Sequence, residues 1–158
     1  MLLMCIPFFG GNRTESDKEK ANRINNSIVN SLSSNDYDSF FMLFSEEARE
    51  YLQNSIEEYD LNHILLGKEL NICNSEIYGG LKQFGVNKYE SFDVKCLIND
   101  SDGNYYLVFY SYCKIGESSK SVGVKRIIII NSDNKGTIYK EYVDYFKSLG
   151  IYGFYLNI

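Results

Sequence analysis

The chain of 158 residues has the length of one domain, and its 44% of hydrophobic residues is enough to build a buried core. The formal net charge of -5, without a Lys/Arg cluster interleaved with aromatic residues, argues against nucleic acid as a partner. The chain holds 14 Tyr and 10 Phe, and tyrosine suits half-buried packing as well as a partly wet cavity or a contact surface.

Residues 1–11 are apolar and too short to span a bilayer, and they lack the basic start of a signal peptide but are similar to the end of one. Leu2-Leu3-Met4-Cys5 resembles a bacterial lipobox in which Cys5 would carry the lipid, although Met4 departs from the small residue of that pattern. We therefore expect residues 1–15 to be the remnant of a signal or lipoprotein segment with a tether. The protein would then be extracytoplasmic, either anchored to the membrane through Cys5 or secreted. The alternative is an incidental cysteine in a terminus that packs on the domain or stays disordered.

A first helix is predicted over residues 17–32. Ser16-x-x-Glu19 is a capping box, in which each side chain satisfies a free N–H group at the helix start. Apolar residues then recur at helical spacing on one face, and polar residues occupy the opposite face. The predicted inner face carries Ala21, Ile24, Ile28, Val29 and Leu32.

Two further helices are predicted to follow. Asp36 or Asp38 caps a short helix that runs through residues 39–44. Ser45 caps the next helix, because two glutamates follow it in the first turn, where the helix dipole favours negative charge. Gly67 is placed to end that helix. Its predicted inner face carries Ala48, Tyr51, Leu52, Ile56 and Tyr59.

Residues 69–78 alternate as a strand. Gly79-Gly80 then marks a break, where the backbone needs conformational freedom or another chain segment passes close. The pattern of residues 81–88 is ambiguous.

Three strands joined by tight turns form the centre of the chain, over residues 89–98, 105–112 and 122–130. In the first strand, Asp93 and Lys95 lie on a face that touches water, while the opposite face is apolar. The second strand is apolar or aromatic on both faces, which predicts a central position with both faces covered. Turn residues between the strands, such as Asp102-Gly103, predict an antiparallel meander. The buried face of the first strand carries Phe92, Val94, Cys96 and Ile98.

The end of the chain is predicted to add one helix and one apolar segment. After Gly136, apolar residues at helical spacing indicate a short amphipathic helix that ends before Gly150. Residues 151–158 are aromatic and apolar, which indicates a last strand or a hydrophobic tail.

The residues that bind metals in other proteins are sparse here, and we expect no metal and no cofactor. The cysteines show no C-x-x-C spacing, and His63 is the only histidine. His63 lies near a predicted helix end and is interpreted as a surface or capping residue rather than a general base. Asp100-x-Asp102-x-Asn104 is similar to the opening of a calcium loop but lacks the closing glutamate, so a hairpin turn is predicted. Buried free thiols are the expected state of the cysteines, which are Cys5, Cys73, Cys96 and Cys113.

Tyr106, Tyr110 and Tyr112 share one face of the central strand and are the candidate ligand-binding residues. Each offers an apolar ring with a polar tip, which suits a binding cavity. The competing interpretation is a sheet face that the helices cover. No Asp or Glu on the strands is predicted to point the same way, so no catalytic residue is assigned.

Helices followed by a curved antiparallel sheet are the order of elements in the NTF2-like (cystatin-like, SnoaL-like) superfamily, which residues 16–131 resemble. Residues 35–45 are similar to that group's link between its first two helices, with a small residue and Asp, then a hydrophobic run closed by Phe44-Ser45. Val122-Gly123-Val124-Lys125-Arg126-Ile127 is similar to a strand start in a branch of uncharacterised bacterial lipoproteins of unknown function. The resemblance implies an α+β fold, with N-terminal helices packed on a curved antiparallel β-sheet, over residues 16–158 as a single domain.

The family does not imply one function, because its cone-shaped fold holds isomerases, hydrolases and proteins that only bind partners. Our leading expectation is an exported, lipid-anchored domain without catalysis that binds a small apolar ligand or a protein partner. The second is a small-molecule isomerase or hydrolase with Tyr106 or Tyr110 as hydrogen-bond donor. The third is a structural module that forms a homodimer through its open sheet face.

Overall fold

The computed structural model describes residues 15–53, 67–84, 88–116, 119–142, 144, 149–150 and 152–157. Over these residues the architecture is α+β, with N-terminal helices followed by a sheet. The helices are α1 (Asp17–Ser33), α2 (Tyr37–Phe41) and α3 (Glu46–Leu52). The strands are β1 (Leu70–Gln83), β2 (Tyr89–Asp100), β3 (Tyr105–Ile115), β4 (Gly123–Ser132) and β5 (Gly153–Asn157).

The strands form one open sheet in which spatial order follows chain order from β1 to β5. β1 to β4 pair antiparallel, as the turn residues predicted, and β5 adds to β4 in parallel. The ladders are interrupted by register shifts between Ile72 and Asn74, between Ile77 and Gly79, and after Ser111. Such bulges bend a strand locally and increase its twist.

The predicted helix caps are confirmed. The Ser16 hydroxyl accepts a hydrogen bond from the Glu19 amide, and the Glu19 carboxylate accepts one from the Ser16 amide at 2.8 Å. Asp36 caps α2 and Ser45 caps α3, in each case through an amide three residues on. Because Asp36 is the cap, α2 starts earlier than the prediction from Ser39 and also ends earlier.

α2 ends early because the chain after it is bonded to the sheet. The Val124 amide donates to the Leu43 carbonyl at 3.0 Å, and the Ser45 amide donates to the Val124 carbonyl at 2.9 Å. Phe44 thereby forms a parallel bridge with Val124. These bonds take the Leu43 carbonyl and the Ser45 amide out of any helix and fix the start of α3 against β4.

The main core lies between the helices and one face of the sheet, which we call the inner face. The predicted buried face of β2 is confirmed, since its four members are all buried in this core. α1 contributes its predicted apolar face, and β5 adds Phe154, whose ring meets Phe40 edge-on at 5.4 Å. From the sheet, the buried side chains are Leu70, Phe92, Val94, Cys96, Ile98, Tyr106, Val108, Tyr110, Tyr112, Val124, Ile127 and Ile129.

A second, smaller core lies on the opposite, outer face. β3 is therefore covered on both faces, as predicted. Residues 133–142 lie against this face, where Gly136 meets Leu107 and the buried ring of Tyr142 packs. The buried members of this core are Leu97, Leu107, Phe109, Ile128, Ile130 and Tyr142.

Three expectations for individual elements differ from what the structure describes or lie outside it. Gly79-Gly80 does not interrupt β1, and the close passage of a neighbouring segment explains the glycines: a Cβ on Gly80 would lie 3.2 Å from the Ser91 carbonyl oxygen. Tyr51 is 59% exposed rather than on the inner face of α3. The predicted continuation of that helix over residues 54–66 lies outside the described residues, while residues 140–142 and 144 of the predicted C-terminal helix are helical.

Candidate functional site

The three candidate tyrosines occupy one face of β3, as predicted, and that face lies beneath α1. Tyr106, Tyr110 and Tyr112 are exposed by no more than 7%. The Tyr110 hydroxyl donates a hydrogen bond to the Ala21 carbonyl of α1 at 3.0 Å. Tyr112 stacks on Phe92 with ring centroids 4.8 Å apart. These rings are packing partners of the helix, and a ligand-binding role for them stays a prediction.

A carboxylate does lie beside these tyrosines, at the end of β2. The Tyr106 hydroxyl donates to Asp100 Oδ2 at 2.9 Å, and the side chain of Asp100 is fully buried. The sequence contained the signal for this position. Asp100 continues the alternation of Phe92 to Ile98, and that alternation places it on the inner face with Tyr106.

The hydrogen bonds to Asp100 decide its chemistry. Both carboxylate oxygens are occupied: Oδ1 accepts from the Asp102 and Asn104 amides, while Oδ2 accepts from the Asn104 side chain and from Lys68. Burial by itself would raise the pKa of Asp100, but these bonds outweigh it and hold the pKa well below its ordinary value. Asp100 is therefore ionised, weakly basic and engaged in holding the β2–β3 turn.

A separate cavity opens on the outer face of the sheet, beyond the part that residues 133–142 cover. We call it the outer-face groove. Its volume is about 420 Å³, within the range of small-molecule sites. Its lining residues are Glu76, Tyr78, Lys95, Phe109, Tyr110, Ser111, Arg126, Ile128 and Ile138.

The floor and walls of the groove are apolar. Phe109 and Ile128, neighbours across β3 and β4, form the floor and are themselves almost fully buried. Tyr78 rises from β1 with 58% of its surface exposed and meets Phe109 edge-on, with ring centroids 6.3 Å apart. Ile138 contributes from the segment that crosses the outer face.

Polar side chains surround this apolar floor. Asp93, Ser111 and Arg126 form one row across β2, β3 and β4, because the register aligns them. The Ser111 hydroxyl donates to Asp93 at 2.6 Å, and Arg126 donates to the Gly150 carbonyl at 3.3 Å. In the next row, Lys95 lies 3.8 Å from Glu76. The groove therefore offers an apolar base with a cation and a carboxylate at its rim.

Tyr78 enters the groove from a bulge in β1. It is the extra residue at the register shift between Ile77 and Gly79, and its side chain lies on the outer face, as does that of Glu76 two residues before it. Burial against the sheet raises the pKa of Tyr78, with a further contribution from Asp93 and an opposing one from Arg126. Sequence alternation predicted the wet face of Asp93 and Lys95, and it places Tyr78 on the same face of its strand as Glu76, but it had no signal for Ile138.

The remaining candidate residues are placed as follows. Cys5 and His63 lie outside the described residues. Cys96 and Cys113 are buried free thiols, as expected, whereas Cys73 is free but exposed. Over the described ranges, no group of three His, Cys, Asp or Glu side chains could hold a metal ion. Among the described helices, none combines the length and the apolar character needed to cross a bilayer.

No protein-family model matches the chain, and no curated protein matches it at a significant level. The geometry of the groove and the chemistry of its residues are therefore the basis for assigning a function to this chain.

Proposed function

We propose that this chain is a non-enzymatic binding domain that takes a small apolar ligand with an acidic group in the outer-face groove. The observation that carries the proposal is the composition of that groove, an apolar floor of Phe109 and Ile128 with a guanidinium at its rim. Ligand sites in proteins have this character, a mostly apolar lining with a few polar groups that fix orientation. A ligand with a ring would lie on Phe109 beside Tyr78, and its carboxylate would meet Arg126.

We also propose that the domain is NTF2-like and exported. The two segments that resemble the family are joined in space, because Phe44 bridges to Val124 and the Ser45 amide bonds to the Val124 carbonyl. That contact supports a shared origin of the two motifs as one structural unit. Export and lipid attachment at Cys5 are supported by the sequence of residues 1–11 alone.

An isomerase or hydrolase is the second candidate, favoured by the Tyr106–Asp100 contact. A catalytic base needs a pKa near the working pH and a free lone pair directed at the substrate. Asp100 has a strongly lowered pKa, and both of its oxygens accept hydrogen bonds within the protein. These properties suit a structural carboxylate, so we favour binding without catalysis.

The binding proposal is tested by screening fragments against the labelled protein by NMR. The fragments are aromatic and alicyclic carboxylic acids, each paired with its neutral amide. We expect the acids to shift the amide signals of Ser111 and Ile128, and the amides to bind about tenfold more weakly because they lose the charge-assisted contact with Arg126.

Two variants locate the site, each with a matched control. Arg126→Ala removes the cation and Tyr78→Ala removes the wall, and we expect each to weaken binding of the acids. Arg23→Ala and Tyr51→Ala change side chains of the same type elsewhere on the surface, so they should leave binding unchanged. Fragments that shift only signals outside the groove, or controls that lose binding equally, would rule out this site.

A further inference from the structure

The end of the sheet where β1 leads into β2 carries a second cavity, of about 400 Å³. Tyr89 of β2 pairs with Ile115 of β3 there, and the Gly116 amide donates to the Lys88 carbonyl. We call this region the lysine end. The residues that line its cavity are Lys82, Gln83, Phe84, Lys88, Tyr89, Glu90, Lys114 and Gly116.

Large apolar side chains are exposed together at the lysine end. Phe84 is 86% exposed, the highest value among the exposed large hydrophobic residues of the described chain. Leu81 on β1, which ends one residue before Phe84, is 60% exposed, and Ile115 on β3 is 39% exposed. Single exposed apolar residues are normal on protein surfaces, but a group of them indicates a surface that binds another protein or a membrane.

The charge of the lysine end is opposite to that of the whole chain. Lys82 is paired with Asp17 at 2.7 Å, and Lys20 is paired with Glu90. Lys88 and Lys114 have no ion pair with a carboxylate of the described residues. An excess of positive charge therefore lies beside the exposed apolar side chains, although the formal net charge of the chain is -5.

We propose that the lysine end binds the surface of an anionic lipid bilayer, with Phe84 and Ile115 inserted at the interface and Lys88 and Lys114 on the headgroups. Exposed aromatic and aliphatic residues flanked by lysines are the combination that interfacial binding requires. A small free anion fits less well, because it would leave Phe84 in water. The proposal does not involve the outer-face groove, and either site can fail without the other.

The start of α1 lies at the same end of the molecule, which fits this orientation. Asp17, the first residue of α1, is bonded to Lys82 at the lysine end. Cys5 is ten positions before Glu15 in the sequence. Ten extended residues span at most about 35 Å. An anchor at Cys5 and the lysine end can therefore contact the same bilayer.

The test uses the full chain without lipid attached and measures its binding to vesicles by sedimentation. Vesicles of phosphatidylcholine with phosphatidylglycerol are compared with vesicles of phosphatidylcholine alone. We expect binding to the anionic vesicles that weakens with salt, and a loss of about tenfold or more for the double variant Lys88→Glu/Lys114→Glu. The control Lys135→Glu/Lys140→Glu has the same net charge change, on exposed lysines in the segment that crosses the outer face, and should lose far less.

A fluorescence reporter tests the insertion of Phe84 directly. The chain has no Trp, so Phe84→Trp gives a single reporter whose emission should shift to the blue on anionic vesicles. Tyr51→Trp, at an exposed position on α3, should not shift. The proposal would be overturned if the two double lysine variants lost vesicle binding equally, or if the emission of Phe84→Trp did not shift. It would also be overturned if glycerol phosphate in solution displaced the protein from the vesicles. The last result would assign the cavity to a free anion.

Discussion

The hydroxyl of Tyr106 donates a hydrogen bond of 2.9 Å to a carboxylate oxygen of Asp100 that water does not reach. A buried carboxylate is stable in a protein only when its lone pairs are satisfied, and here the β2–β3 turn, Tyr106 and Lys68 supply the donors. Asp100 therefore connects the β2–β3 turn to the inner-face core.

Asp100→Asn should destabilise the protein strongly. The amide keeps the size of the side chain but puts an NH₂ group where donors now converge, which leaves buried donors unpaired. We expect the free energy of unfolding to fall by about 3 kcal/mol, measured by urea denaturation at neutral pH. Asp102→Asn, at a mostly exposed neighbour, is the matched control and should change stability little. Equal effects of the two substitutions would contradict a structural role for Asp100.

The lowered pKa of the Asp100 carboxylate predicts that the stability of the protein depends on pH. The pKa of Asp100 in the folded protein lies below its ordinary value of 3.8, so the unfolded chain binds the proton more readily. Its stabilising contribution is therefore complete above pH 3.8 and is lost as pH falls towards the folded-state pKa. The difference in unfolding free energy between the native protein and Asp100→Asn should narrow below that pH in denaturation curves. A difference that stays constant through this range would contradict the lowered pKa.

Gly123→Ala should be among the most damaging small substitutions in the chain. Gly123 has a φ of 140°, and a Cβ there would lie 2.8 Å from the Ser45 amide nitrogen, which is itself bonded to the Val124 carbonyl. We expect a loss of about 3–5 kcal/mol, from backbone strain together with displacement of α3, measured by thermal or urea unfolding. Gly103→Ala is the control, because its φ is also positive but open space surrounds it, so only the strain remains. A loss no larger than that of the control would show that Ser45 moves aside freely.

Asn25 offers a stabilising change. Its side chain is buried, the nitrogen donates to the Ser75 hydroxyl at 2.8 Å, and the oxygen finds no partner among the described residues. Replacing the pair by Asn25→Leu/Ser75→Ala removes two desolvated polar groups from the contact between α1 and β1. We expect the free energy of unfolding to rise by about 1–2 kcal/mol in urea denaturation. Asn26→Leu, on the exposed face of the same helix, should not reproduce the gain.

Tyr110 distinguishes packing from binding on the inner face. Tyr110→Phe removes only the hydrogen bond to the Ala21 carbonyl and should cost about 1 kcal/mol of stability. Tyr110→Ala also removes the ring and should cost about 4 kcal/mol. Both values come from urea denaturation. A ligand-binding role for the hydroxyl would instead show as unchanged stability in Tyr110→Phe with lost ligand affinity.

The local sequence determined the elements of this protein and which side of each is buried. The capping box at Ser16, the cap at Ser45 and the alternation along β2 depend on neighbours within a few residues, so the pattern alone was enough to predict them. The alternation along β2 also places Asp100 on the buried face, although the aspartate was interpreted only as a turn residue. Its charge suggested a wet position, and the tertiary donors that stabilise it inside are not visible in sequence.

Only the tertiary structure decided how the two faces of the sheet are used. β3 is apolar on both sides, so periodicity could not tell which face α1 covers, and the helix covers the tyrosines. The outer-face groove combines Tyr78 from a bulge, Arg126 from β4 and Ile138 from a distant segment. The parallel pairing of β5 likewise joins residues far apart along the chain. Such contacts depend on the path of the chain through space, because local propensity acts over a few residues and cannot specify a meeting between distant ones.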